Sequence, residues 1–318
     1  MQTGVQHTIG NVVRTLKNPR DLKEKVIQTI LLLLATIAVF VIILITFFIF
    51  KNGFPIFKEH GFWNVIAGQI WNPTKSVFGF LPMIVGTFYV TFVALIIGIP
   101  FGLATAIFLA ELSSSRMQKI IRPAIELLAG IPSVIHGLFG MVVINEVMRY
   151  IQRNYLGGIL PPEYQWGYSV LSGGIILAIM ILPTLINISE DSIRAVPKSY
   201  KQGALALGST HIQTIFRVII PAAKSGITSA VILSMGRALG ETMAVIMVVG
   251  NMPMLPEHPL YSIFAPISTL TATIAMEMGY AGPEHRQALF ALGIVLFCIV
   301  ALLNTFAIII RRGARADA

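Results

Sequence analysis

The chain has 318 residues, 55% of them hydrophobic and 12% charged, with a formal net charge of +9. Soluble domains carry roughly 25% charged residues, so this composition, with a mean hydropathy of +0.80, excludes an ordinary soluble domain and indicates an integral membrane protein. The basic residues sit in short gaps between apolar runs, whereas a nucleic-acid binder gathers them on one solvated face. The single cysteine, Cys298, lies inside an apolar run and reads as a small core residue, leaving neither a disulfide framework nor a cysteine metal cluster.

In chain order, residues 1–25 are polar and basic, and Val26–Phe50 is an unbroken apolar run. That run is too long for the core of a cleavable signal, and no small-residue cleavage site follows it, so it reads as a retained first span. Lys51–Phe80 reads as a loop with Trp63 and Trp71 as interface anchors. Leu81–Ala110 is the second span, with a GxxxG at Gly98 and Gly102, and Glu111–Arg122 is a short basic connection. Ala124–Val147 is the third span, interrupted at Gly130-Ile131-Pro132. Pro132 reads as a kink there, and the alternative is a half-helix starting at Ser133 with its amide end facing an anion. His136 reads as a packing or helix-bonding residue, and Glu111 and Glu126 as snorkelling or capping carboxylates.

Arg149–Ser169 reads as a loop, Val170–Ser189 as the fourth span, Glu190–Lys224 as a long polar segment and Ser225–Gly250 as the fifth span. Asn251–Gln287 is a proline-rich loop whose stretch Ser268–Ala275 is expected to be helical and external, and Ala288–Ile310 is the sixth span. The runs are far longer than barrel strands, and backbone groups in lipid must be satisfied within each segment, so the fold class is all-α with six transmembrane helices. One side of these spans holds Arg14, Lys17, Arg20, Lys23, Lys25, Arg116, Lys119, Arg122, Arg194, Lys198, Lys201, Arg217, Lys224, Arg311, Arg312 and Arg315. The other holds Lys51, Lys58, Lys75, Arg149, Arg153 and Arg286. The bias puts both termini and the segment before the fifth span in the cytoplasm.

The fifth span carries Arg237 near its midpoint and Glu241 one turn on. A central arginine costs about 2.5–3.5 kcal/mol on insertion scales, so such a residue faces protein or water and has a task. The i, i+4 spacing would let the two charges pair, and Gly236 and Gly240 form a GxxxG that admits a close neighbour. A guanidinium fork suits an oxyanion. Arg237 and Glu241, with Ser234 and Thr242 as polar neighbours, are therefore the candidate pathway residues, and an ion pair that only fixes helix packing is the alternative.

Residues 192–221 read as a helix–turn–helix on the cytoplasmic surface. Pro197 suits a first helical position, Tyr200, Ala204 and Leu207 share a face, and Gly208 supplies the stop. Thr210 with Gln213 makes a capping box for a second helix ended by Pro221. This segment resembles the EAA loop of ABC-transporter permeases. Gln202, Gly203 and Ala204 stand in the first three places, Gly208 in the glycine place, and Val218, Ile220 and Pro221 close the pattern. The departures are glutamine for glutamate, glycine for alanine, and the two aliphatic exchanges.

Nearly the whole chain resembles the phosphate-specific permeases of PstC type, above all in Glu126–Ser133 and in Gly236-Arg237-Ala238-Leu239-Gly240-Glu241-Thr242-Met243-Ala244. The resemblance implies a type I ABC-importer permease domain over residues 26–310, between cytoplasmic segments 1–25 and 311–318, in a bacterial or archaeal cell membrane. It implies a homologous PstA-type permease, a PstB-type ATPase dimer and an external PstS-type phosphate-binding protein as partners. It also makes the loop containing Tyr200, Gln202, Gly203, Ala204, Leu207, Gly208 and Pro221 the ATPase coupling element. No cofactor is expected on this chain, ATP and Mg being held by the partner ATPase. The sequence has no G-x-x-x-x-G-K-[ST] phosphate loop, so it is not expected to be an enzyme. The other readings are a permease for molybdate or sulfate, and a membrane enzyme or self-sufficient channel. The six scattered histidines offer no cluster for an enzyme.

Overall fold

The structure, a computed structural model, describes residues 19–256 and 262–316. His7, Arg14, Lys17, His258 and Pro259, most of the expected segment 1–25 and the last two residues of the expected tail lie outside the described residues. Among the described residues the fold is helical apart from one two-stranded antiparallel hairpin, β1 (Trp71–Asn72) with β2 (Val77–Phe78). Five helices are long and apolar enough to cross a membrane, and a sixth span arises if the bent pair His211–Ala222 and Lys224–Gly240 is counted as one.

The first helix, α1, runs Pro19–His60, longer at both ends than the apolar run, and carries Pro55 within it. The chain divides into two compact units, Met1–Asn52 and Gly53–Ala318. In the first, the apolar side chains from Val26 to Phe48 are exposed. The hydroxyls of Thr29, Thr36 and Thr46 each donate to the carbonyl four residues back, which satisfies them within the helix.

The second unit is built around α3 (Leu81–Ile107) and α7 (Val170–Arg194). Gly98 and Gly102 permit their contact: a Cβ at Gly98 would lie 2.9 Å from Ile181 Cδ1, and one at Gly102 2.5 Å from Leu185 Cδ2. The GxxxG of the second span is thus used inside the chain. Buried Val90, Val93, Ala94, Ile176, Leu177 and Ile181 form this core, joined by Val245 and Val248. A second core packs Ile56, Trp71, Phe80, Leu270, Leu289 and Leu292. Trp71 therefore corrects the expectation of an interface anchor: it is buried and donates to Glu277 Oε2 at 3.1 Å, while Trp63 is exposed.

Several boundaries also change. Instead of one kinked span over Ala124–Val147, α4 (Ser115–Gly130) stops and α5 (Ser133–Phe139) starts anew. Ile131 is extended (φ −70°, ψ 127°), as a residue preceding proline prefers, and Pro132 has no N–H to continue a helix. The span is Ser133–Asn154, continuing from α5 through a π turn (Gly140–Ile144) into α6 (Asn145–Asn154). The sixth span, α14, begins at Pro283. The stretch Ser268–Ala275 is mostly helical, within α13 (Leu270–Glu277), with Leu270, Thr271, Ala272 and Thr273 buried.

Candidate functional site

The fifth span is not one helix. After α10 (Ile220–Ala222) the chain bends by 69° into α11 (Lys224–Gly240). It then leaves helical geometry at Glu241 (φ −71°, ψ 132°) and resumes as α12 (Met243–Val248). Gly240 has the weak helix propensity that suits a stop. The Glu241 carboxylate accepts from the Ala244 N–H at 3.4 Å and so takes up one of the unpaired amides at the start of α12. Thr271 donates its hydroxyl to the Glu241 carbonyl at 3.0 Å, which ties the break to α13. Beyond α12, Gly250 (φ 89°) and Asn251 (φ 54°) turn the chain, and Gly250 forms a parallel bridge with Ile267. At Gly250 a side chain would be strained by the positive φ and would also lie 2.8 Å from Pro266.

The break corrects the expected geometry of the charged pair. Once the helix ends at Gly240, the i, i+4 register no longer places Glu241 over Arg237, and among the described residues no ion pair joins them. Arg237 is exposed and donates from Nη1 to Thr184 Oγ1 at 3.1 Å, across to α7. Ser234 is fully buried on α11 and its hydroxyl has no partner among the described residues. Thr242 donates to the Gly240 carbonyl at 3.3 Å. The four candidate residues thus fall in two groups: Ser234 and Arg237 on α11, and Glu241 and Thr242 in the break.

The face around Arg237 is open. A Cβ at Gly236 or Gly240 would meet nothing within 4 Å, and Leu233 and Met243 are exposed beside them. The contrast with Gly98 and Gly102 is physical. One glycine pair is filled by α7, and the other has no neighbour within 4 Å among the described residues.

The segment before the fifth span has the expected build. The helix α8 (Lys198–Ala206) starts after Pro197, and Gly208 (φ 87°) ends it in the left-handed region that glycine tolerates. The capping box is present: Gln213 N–H donates to Thr210 Oγ1 at 3.3 Å, and Thr210 N–H to Gln213 Oε1 at 3.1 Å. One detail differs. Pro221 lies within α10 and does not end the helical run, which goes from α9 (His211–Thr214) through a π turn (Ile215–Ile219) to Ala222. Tyr200, Gln202, Gly203 and Leu207 are exposed, Leu207 at 89%, and Gly203 and Gly208 have open space where a Cβ would be.

Residues 98–315 match the family model described as binding-protein-dependent transport system inner membrane component. The chain belongs to that family. Among its relatives, the probable ABC transporter permease protein YqgH of Bacillus subtilis is 38% identical over 283 residues, 87% of each chain. The phosphate transport system permease protein PstC of Mesorhizobium japonicum is 36% identical over 284 residues, 85% of each. In fold, the permease is similar to a chain of the bacterial alginate ABC transporter in complex with an alginate-bound periplasmic protein (TM-score 0.59, 19% identity, covering 91% of this chain and 94% of that one). It is similar also to a chain of the inward-facing MetNI methionine ABC transporter (TM-score 0.55, 16% identity, 77% and 99%). The permease is an all-α, multi-pass protein of the cell inner membrane and a component of a transport complex.

Sequence reasoning missed two hydroxyls that bond the candidate residues, Thr184 to Arg237 and Thr271 to the Glu241 carbonyl. Thr184 follows Pro183 in an otherwise apolar span, which is a readable signal. It also missed the buried hydroxyl cluster beside the break. Ser268 and Thr273 hydroxyls lie 2.8 Å apart, and Thr87 Oγ1 accepts from the Leu270 N–H at 3.0 Å.

Proposed function

We propose that this permease is the PstC-type subunit of an ATP-driven importer of inorganic phosphate and forms half of its translocation path. The observation that carries the reading is Arg237. It is a permanently charged fork anchored by one bond to Thr184, on a face whose flanking glycines have no neighbour among the described residues. A second, homologous PstA-type permease packs against Gly236 and Gly240 and closes a path between the two subunits. Because Arg237 is exposed, donors beyond the one used by Thr184 are accessible to phosphate oxygens passing along that seam. A single cation held by one hydrogen bond favours entry of the anion without trapping it.

Glu241 serves this path by holding the break between α11 and α12, with its carboxylate on the Ala244 amide, and not by pairing with the arginine. Thr242 supplies a polar group in the break, and Ser234 a buried hydroxyl on α11 behind the arginine face. Residues 26–310 act as the transmembrane domain between cytoplasmic segments 1–25 and 311–318. The exposed surface of α8, with Tyr200, Gln202, Gly203, Ala204, Leu207 and Gly208, docks on a PstB-type ATPase that holds ATP and Mg, and Pro221 joins the docking segment to α11. A PstS-type binding protein delivers phosphate from outside.

The test is reconstitution of this chain with its ATPase and second permease in vesicles that hold ATP on the ATPase side. ATP-dependent uptake of radiolabelled phosphate from the binding protein is expected, with sulfate and molybdate failing to compete. Competition by either oxyanion at equal concentration would sink the phosphate assignment, and flux through this chain alone would sink the subunit reading.

A further inference from the structure

The end of α3 is a π turn, Phe108–Leu112, which opens the helix by one residue and frees its carbonyls. The Leu109 carbonyl accepts three side-chain bonds: Arg194 Nη2 at 2.8 Å from the end of α7, Gln118 Nε2 at 3.2 Å from α4, and Ser113 Oγ at 3.0 Å. Two residues on, the Glu111 carboxylate accepts from Lys201 Nζ of α8 at 2.5 Å and stands 3.8 Å from His211 Nε2 of α9. Behind this turn, buried Glu190 binds both Arg122 of α4 and Arg194, its own neighbour one turn on. Four elements meet at one five-residue turn, and α7, α8 and α9 reach it from far along the chain.

The helix α8 has no buried residue of its own. A cavity of about 400 Å³ lies beneath it, lined among others by Glu111, Arg194, Lys198, Lys201, Gln202 and Ile219. A helix standing over a cavity transmits little force by packing. Its route to α3 is the side-chain tie Lys201–Glu111. Glu111 is 11% exposed and Lys201 35%, so the pair is partly shielded from water, unlike a fully exposed salt bridge. From Glu111 the π turn leads straight into α3, and α3 into the buried hydroxyls Thr87 and Thr91.

We infer that Lys201 and Glu111 are positioning residues that carry motion of the coupling helix into α3, with the π turn Phe108–Leu112 as the yielding joint. The inference rests on the reading of α8 as the ATPase-docking helix. A push on α8 moves Glu111 through the ion pair, the π turn absorbs the change in helix register, and α3 shifts against the segment that holds the break at Glu241. Glu190, through Arg122, ties α4 to α7 beside this joint.

The experiment compares phosphate taken up per ATP hydrolysed in reconstituted complexes of wild type, Glu111→Gln, Lys201→Met and the exchange Glu111→Lys/Lys201→Glu. Each single variant is expected to assemble and hydrolyse ATP while the uptake-to-ATP ratio drops about tenfold, and the exchange is expected to return the ratio to within about twofold of wild type. An unchanged ratio in the single variants overturns the inference. So does an exchange no better than the single variants. Loss of assembly in the single variants, scored by co-purification of the ATPase, overturns it as well, because the pair then holds the complex together and does not transmit motion. Transport by the wild-type complex of an anion other than phosphate would strike the substrate reading alone, since the ratio is measurable for that anion too.

Discussion

Three glycine-to-alanine changes on membrane helices make a graded test of how this chain packs. At Gly86, within α3, an added Cβ would lie 2.1 Å from the Ser268 carbonyl oxygen. That carbonyl belongs to a segment tied down by the Ile267 N–H to Val249 bond and by the Ser268–Thr273 hydroxyl contact. Relief requires the helix and this segment to separate by about 1 Å to recover ordinary contact. Overpacking of that kind costs about 1–3 kcal/mol, offset by the roughly 0.5–1 kcal/mol that alanine gains over glycine inside a helix. Gly86→Ala should therefore lose about 1–2 kcal/mol.

At Gly102 the Cβ would sit 2.5 Å from Leu185 Cδ2, the tip of a side chain that changes rotamer, so the loss should be smaller. At Gly236 nothing lies within 4 Å, and alanine should be neutral or stabilising in the isolated chain by about 0.5 kcal/mol. Thermal unfolding of the purified chain in one detergent reads the order, with each kcal/mol worth about 2–4 °C. A Gly86→Ala protein that melts with wild type, or a Gly236→Ala protein that loses as much as Gly86→Ala, would refute the packing argument.

The remaining predictions concern function and local structure. Gly236→Leu should leave the isolated chain folded yet reduce co-purification of the second permease by about tenfold, since it fills the open face; normal recovery of the partner would place the seam elsewhere. Arg237→Gln should keep assembly and ATP hydrolysis while phosphate uptake falls by about a hundredfold, the scale of one lost charged contact, and near-normal uptake would remove the arginine from the path. Gly208→Ala forces alanine to φ 87° and should cost about 1–2 kcal/mol of local stability, read as faster amide exchange over residues 198–208. Thr210→Ala removes the acceptor of the Gln213 amide and should cost about 1 kcal/mol at the start of α9, by the same readout.

The apolar runs made the helical membrane class and the approximate places of the spans legible, because apolar content is summed along the chain. The segment 192–221 was legible nearly residue by residue, since Pro197, Gly208 and the Thr210–Gln213 box act within one turn of themselves. The broken fifth span was not. Apolar content marks a segment as lipid-compatible but carries no mark for where a helix stops inside it, and Gly240 alone is an ambiguous stop. Assuming a continuous helix, the i, i+4 rule paired Arg237 with Glu241; the break sends each to a different partner, Thr184 and Ala244. The ties Lys201–Glu111 and Trp71–Glu277 join residues 90 and 206 positions apart, beyond the reach of any local pattern.

The π turns have a consequence for how this chain tolerates length changes. Three occur among the described residues, at Phe108–Leu112, Gly140–Ile144 and Ile215–Ile219. Each holds one residue more than an α turn would, so each is a store of slack in a helix that otherwise has none. Deleting one residue inside such a turn would tighten it to α geometry and leave the helix on either side in phase. Deleting one from the middle of α3 or α7 would instead rotate everything downstream by about 100° and turn its buried stripe toward lipid. Insertions and deletions tolerated by this fold should therefore gather at these three turns.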